Sequence, residues 1–157
     1  MKRIILILLI ILMICSSALA DDFYVLCSTE CNVRLHAKWT AEVIGHKYCG
    51  DVVHADGKRK NGFVHVNGLG FEYMDGWIYA GALVEDPPVI YERKAEVVSK
   101  GRVAARQYIG GKRNKWLKNG REVFVYAISE VWSITDQGYV QTKYLSISEI
   151  PQQEDRD

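Results

Sequence analysis

Short runs of alternating apolar and polar side chains, or of clustered β-branched and aromatic residues, recur along the chain. They are Val52-Val53-His54-Ala55, Phe63-Val64-His65-Val66, Trp77-Ile78-Tyr79, Val123-Phe124-Val125-Tyr126-Ala127 and Val131-Trp132-Ser133-Ile134. A strand turns successive side chains to opposite faces, so these runs read as β-strands. Asn61-Gly62, Asn67-Gly68 and Asn119-Gly120 separate or flank them. Both residue types tolerate positive φ, which is what tight hairpin turns require. From Asp21 onward no stretch sustains a helical period. Many short strands at this spacing predict an all-β chain built as small barrels or a sandwich.

The pattern also repeats. Cys31-Asn32-Val33-Arg34 aligns with Val103-Ala104-Ala105-Arg106, and Tyr48-Cys49-Gly50-Asp51-Val52-Val53 aligns with Lys118-Asn119-Gly120-Arg121-Glu122-Val123. Phe63-Val64-His65-Val66 aligns with Trp132-Ser133-Ile134-Thr135, and Gly76-Trp77-Ile78 with Leu83 aligns with Gly138-Tyr139-Val140 with Leu145. The offset is about 70 residues and shortens to about 62 at the end, so the first copy carries a longer hairpin around Asn67 to Tyr73. Glu85-Asp86-Pro87-Pro88 lies between the copies as a stiff polar linker. The division predicted is a first domain at 21–86, a second at 87–149 and a tail at 150–157.

In the first copy, Asn32-Val33-Arg34, Val43-Ile44-Gly45, Gly50, Phe63 and Gly76-Trp77-Ile78 with Leu83 come in an order that resembles the bacterial SH3-like (SH3b) family. The second copy diverges, with Ala104-Ala105-Arg106 at the opening motif and Tyr139 in place of the tryptophan. The resemblance implies two small SH3-like β-barrels in tandem, each five- to six-stranded and partly open. Residues 34–48 would then form the long first loop of the first barrel. Phe63, Trp77 and Trp132 occupy regular strand positions and are expected in the cores.

The N-terminus is of a different kind. Met1-Lys2-Arg3 is basic, residues 4–15 are almost wholly apolar, and Ala18-Leu19-Ala20 has the small-residue pattern of a cleavage site. This predicts a signal peptide over 1–20, an exported (periplasmic or secreted) product and no membrane span after cleavage, because the apolar run is shorter than the roughly 20 residues a span takes. The full chain has 157 residues and carries 20 Lys+Arg against 19 Asp+Glu. Cleavage changes the formal net charge from +1 to −1, and without the acidic stretch from Glu149 to Asp157 the rest is +2. Near-neutral charge and export both argue against a nucleic-acid partner.

Export makes disulfides permissible. Cys27, Cys31 and Cys49 remain after cleavage. If the chain folds back around Trp39-Thr40, Cys31 and Cys49 face each other on paired strands, which favours a Cys31–Cys49 bridge with Cys27–Cys49 as the alternative. Two chemical alternatives use the same residues. One is a zinc site with His46 or His54, although Cys-x3-Cys without a second close pair is a poor signature; the other is a cysteine nucleophile with a histidine base. No G-x-S-x-G, H-E-x-x-H or phosphate-loop motif occurs, and Gly68-Leu69-Gly70 is only half of a dinucleotide fingerprint. The expectation is a non-enzyme without cofactors.

The resemblance implies a ligand groove between the long first loop and the loop after the second strand. In the first copy this would gather His36, Trp39, Tyr48, Lys58, Arg59 and Lys60. In the second, Lys112, Arg113, Lys115 and Trp116 form a basic, aromatic tip with Tyr108 nearby and Tyr144 after the last strand. Aromatic faces take sugars or apolar groups, and Lys and Arg attract carboxylates. Peptidoglycan-type material or a protein or peptide segment fits that mixture. An inhibitor or adaptor module is the related alternative.

Overall fold

A computed structural model of the chain describes residues 21–67 and 75–147. The predicted signal peptide, the Gly68-Leu69-Gly70 motif, most of the longer hairpin and the acidic tail lie outside the described residues.

The alternating segments form strands as expected. β1 (Asp21–Val25), β2 (Glu30–Arg34), β3 (Val43–Tyr48), β4 (Val52–Lys60), β5 (Phe63–Asn67), β6 (Gly76–Tyr79) and β7 (Leu83–Val84) make one antiparallel sheet in the order β3-β2-β6-β5-β4-β1-β7. β8 (Val89–Glu96), β9 (Val103–Arg106), β10 (Arg113–Leu117), β11 (Glu122–Ile128), β12 (Trp132–Thr135) and β13 (Gly138–Gln141) make a second in the order β10-β9-β13-β12-β11-β8. Single 3-10 turns follow β6 (Ala80–Ala82) and β13 (Thr142–Tyr144). Both sheets are open at their edges where closed barrels would have none: β7 is only two residues long and β8 pairs with β11 alone.

With β7 set aside, the two sheets share one strand order, and the likeness extends to single bonds. Val25 N–H donates to Asp51 O at 2.9 Å, and Val97 N–H to Arg121 O at 2.9 Å. Gly50 N–H reaches Val25 O, and Gly120 N–H reaches Val97 O, both at 2.8 Å. Arg34 lies across from Trp77, and Arg106 across from Tyr139. Each arginine uses Nη1 to hold the loop that follows it, through Ala41 O at 2.8 Å and Gly111 O at 2.6 Å.

Period-two alternation decides what each strand pair buries. Val64, Val66 and Ile78 point into the first core with Val25, Val33 and Val53, while Val140 joins Val97, Val123 and Val125 in the second. The aromatic residues lie on the opposite face. Phe63 is buried, but under the rings of Trp39 and Tyr79 and outside the central cluster. Trp77 and Trp132 are half-buried, Trp77 against the His65 ring at 4.9 Å. Core burial holds for Phe63, which is almost wholly buried, and is corrected for Trp77 and Trp132, which are half-buried on the outer face while Ile78 in one strand and Ser133 in the other take the inward positions.

The hairpin of β2 and β3 forms, but its register differs from expectation. Cys31 pairs with Lys47 and Glu30 with Tyr48, so Cys31 and Cys49 do not face each other. The cause is the turn. Lys38 N–H binds His36 O at 2.7 Å and Ala41 N–H binds Lys38 O, which tightens the tip on the N-terminal side of Trp39-Thr40. All three cysteines are thiols, Cys27 and Cys31 buried and Cys49 half-buried beside them.

The two halves pack directly on each other. Leu26 and Val84 form one apolar cluster with Ala127, Ile134 and Tyr139. Tyr139 Oη donates to Leu26 O at 2.7 Å, Ile109 N–H to Gly81 O at 3.0 Å, and Glu130 N–H to the Asp86 carboxylate in the linker.

Candidate functional site

The loop of residues 35–42 is anchored at both flanks, by Arg34 Nη1 on Ala41 O and by Asn61 Nδ2 on Ala37 O at 3.0 Å. Asn61 (φ 52) and Gly62 (φ 79) form the β4–β5 turn that brings this amide into reach. So held, the loop lays Trp39 over the outer face of β5 and β6, with its ring 5.1 Å from Phe63 and 4.6 Å from Tyr79. Trp39 nevertheless stays 58% exposed, so one face of the indole is free for a ligand.

The second half closes this surface into a cleft. Tyr108 meets the Tyr79 ring edge-on at 4.9 Å, seated on backbone that has no side chain to obstruct it. A Cβ on Gly81 would come within 2.6 Å of Tyr79 and 3.0 Å of Tyr108, and a Cβ on Gly111 would run into the Tyr108 ring itself. The resulting cavity has a volume of about 240 Å³, somewhat below the roughly 300–1,000 Å³ of drug-sized ligand sites. Trp39, Phe63, Tyr79 and Tyr108 form its aromatic walls, Cys27, Cys31 and Tyr139 reach it from the interior, and Glu30, Asn32, Arg34 and Gln107 supply polar groups. Arg34 spends one N–H on Ala41, and a guanidinium has five. Glu30 has His46 Nδ1 at 3.5 Å.

Of the residues singled out in the sequence, Trp39 and Tyr108 meet here although they come from different copies. The others disperse. His36 and Lys60 line a separate cavity with Trp77. Lys58 is bound by Asp56 at 2.6 Å within a bulge of β4, and the Arg59 guanidinium lies over Phe23 at 5.7 Å. Tyr48 stays exposed on edge strand β3. In the second half Arg113 stacks on Trp116 at 4.4 Å, Lys115 Nζ donates to Gln137 Oε1 at 2.7 Å, and Lys112 O accepts from Gln107 N–H. Tyr144 packs against the second core with Lys143 over its ring. The basic-aromatic tip is therefore a surface of β10 and not a wall of the cleft.

Burial dominates the titration of the interior groups. It pushes the Cys27 thiol up to about 12 and Cys31 up to about 11, and it raises Cys49 as well. Tyr79 is pushed up to about 12, by burial first and then by its hydrogen bond with Tyr108, and Tyr139 is raised by burial and the neighbouring thiols. A thiol is a useful nucleophile only when its pKa is lowered. Three of the histidines have carboxylate partners: His46 with Glu30, His54 with Asp22 at 2.6 Å and His65 with Asp56 at 2.9 Å. Among the described residues no three His, Cys, Asp or Glu side chains converge as metal ligands.

No protein-family model matches the chain, and no curated protein matches it. Among solved structures it is similar to NlpC1 from Trichomonas vaginalis, at 17% identity over 85% of this chain and 48% of that one, with a TM-score of 0.37. It is likewise similar to NlpC2 from the same organism, at 16% identity over 85% and 50%, with a TM-score of 0.37. The chain spans about half the length of these two structures.

Proposed function

We propose that the chain is an exported, non-catalytic binding module of two SH3-like units acting at the cell envelope, and that it takes peptidoglycan-type material or a peptide segment in the cleft between its halves. The observation that carries this reading is the aromatic cleft of about 240 Å³, which neither half builds alone. Rings of this kind take the apolar faces of sugars or of short side chains. Arg34 and Glu30 beside them offer one group of each sign, which suits a ligand that carries both an amine and a carboxylate. Thiols raised by burial favour binding over thiol catalysis. Export rests on the pattern of residues 1–20.

Retention on purified sacculi tests the proposal. The intact protein is expected to be retained, Trp39→Ala to be lost, and Trp116→Ala to be retained because that indole lies outside the cleft under Arg113. Passage of the intact protein without retention, with a folded spectrum, would exclude the wall ligand and leave a protein or peptide segment. Equal losses for both tryptophan variants would overturn the assignment of the cleft.

A further inference from the structure

A second cavity, of about 260 Å³, lies where the 35–42 loop meets the β4–β5 turn, and nothing in the proposed function uses it. His36, Ala37, Lys38, Lys60, Asn61 and Trp77 line it. The charge of this lining is one-sided: two lysines and, among the described residues, no carboxylate. The neighbouring residues show that this is not the general state of the strand. Lys58, two positions before Lys60, is neutralised by Asp56 in a contact of 2.6 Å, and Arg59 is drawn onto Phe23. Among the described residues neither Lys38 nor Lys60 has an acidic partner.

The cavity is also built rather than incidental. Asn61 Nδ2 ties the loop to the turn through Ala37 O, and the Lys38 N–H bond to His36 O fixes the loop tip that carries Lys38 and His36. Trp77 is held from its other side by the His65 ring, which Asp56 in turn holds at 2.9 Å. An apolar, half-buried indole beside two lysines that have no acidic partner among the described residues suits a ligand with a planar or aliphatic body and one carboxylate, which an ammonium group holds by a charge-assisted bond. At the corresponding turn the second half carries Ser129-Glu130-Val131, an acidic residue in place of the cations, so the feature belongs to one copy only.

We infer that this cavity is a carboxylate-binding subsite for a small acid of about one amino-acid residue, such as the free C-terminal residue of a peptide. The inference does not depend on what fills the aromatic cleft. Its test uses N-acetylphenylalanine as probe and N-acetylphenylalanine amide as control, titrated into the intact protein and followed by NMR at the Trp77 indole and the His36 ring. The acid is expected to give saturable shifts at both groups and the amide none. Lys38→Gln combined with Lys60→Gln is expected to weaken the acid about tenfold, as loss of a charge-assisted bond does. Arg59→Gln, whose guanidinium lies over Phe23 and outside the cavity, should leave it unchanged. Equal binding of acid and amide, shifts confined to other residues, or no saturation up to about 20 mM, a concentration corresponding to roughly 2 kcal/mol of binding, would each overturn the inference.

Discussion

The strand pair β5–β6 in the first half and β12–β13 in the second present the same outward face, and the protein uses the two faces differently. In the first half that face carries Phe63, His65, Trp77 and Tyr79, covered partly by one loop and one tyrosine and left open as two cavities. In the second half it carries Trp132, Ile134 and Tyr139, and Leu26 and Val84 of the first half seal it. One of the two equivalent surfaces stays open as cavities, and its twin is the seam between the halves. Histidines and cysteines follow the same division, since all four histidines and the three cysteines beyond residue 20 lie in the first half. The second half therefore contributes to the cleft by placing Gln107, Tyr108 and Tyr139, not by repeating the site.

The strongest way to break this comparison is Gly138→Ala. Gly138 has φ +110, and a Cβ there would run into the Arg106 carbonyl. A left-handed conformation costs an L-residue about 1–2 kcal/mol and overpacking about 1–3 kcal/mol, so a loss of about 3 kcal/mol is expected. Because Tyr139 is the next residue, both halves should lose structure in one urea transition followed by residue-resolved NMR. Unfolding of residues 89–147 alone would show the seam to be energetically idle.

Tyr139→Phe makes a smaller and sharper cut. It removes the bond to Leu26 O and leaves a buried carbonyl without its donor, at a cost of about 1–2 kcal/mol. Hydrogen exchange should quicken around Leu26 in the first half as well as around Tyr139 in the second. A change confined to the second half would contradict a shared seam.

The smallest expected effect tests the first half alone. The Lys58 ammonium, with help from Lys58 N–H and His65, holds the Asp56 carboxyl at about 2, below the ordinary carboxylate value of about 3.9. A carboxyl whose pKa is lower when folded stabilises the protein above the unfolded value and loses that contribution as pH falls through the folded one. Asp56→Asn should be slightly less stable than wild type near pH 7, and the two stability curves should converge between about pH 4 and pH 2. Probes in the second half should show no difference beyond the shared global transition. A constant gap between the curves down to pH 2 would place the effect in the packing of the bulge and not in the charge.

The strands were legible because period-two alternation is a local property, and the duplication because the same turns recur in the same order. What alternation leaves open is which face of a strand pair is covered, and by what. Trp77-Ile78-Tyr79 already held the signal, since an inward isoleucine puts both flanking aromatics outside, yet Tyr79 is a site residue only because Tyr108 arrives from the other copy. Arg34 was visible in the opening motif, and its equivalence with Arg106 reflects a shared structural bond to the following loop. Its presence at a cleft depends on packing between halves, which no short pattern encodes. The cysteine register failed for a reason of similar scale: one tight turn at His36 to Lys38 moves the pairing, and Cys31 meets Lys47.

The bond from Tyr139 to Leu26 joins residues 113 positions apart. Synthesis at about 5–20 residues per second separates the two partners by roughly 6–23 s. The first half has all of its own strands only once Val84 is made, so over the final 55 residues of that separation, roughly 3–11 s, Leu26, Val84 and the floor of the cleft have nothing to pack against. A nascent chain interrupted between the copies would present an apolar seam to whatever it meets, so the moment of greatest aggregation risk falls between completion of the first sheet and arrival of the last strand.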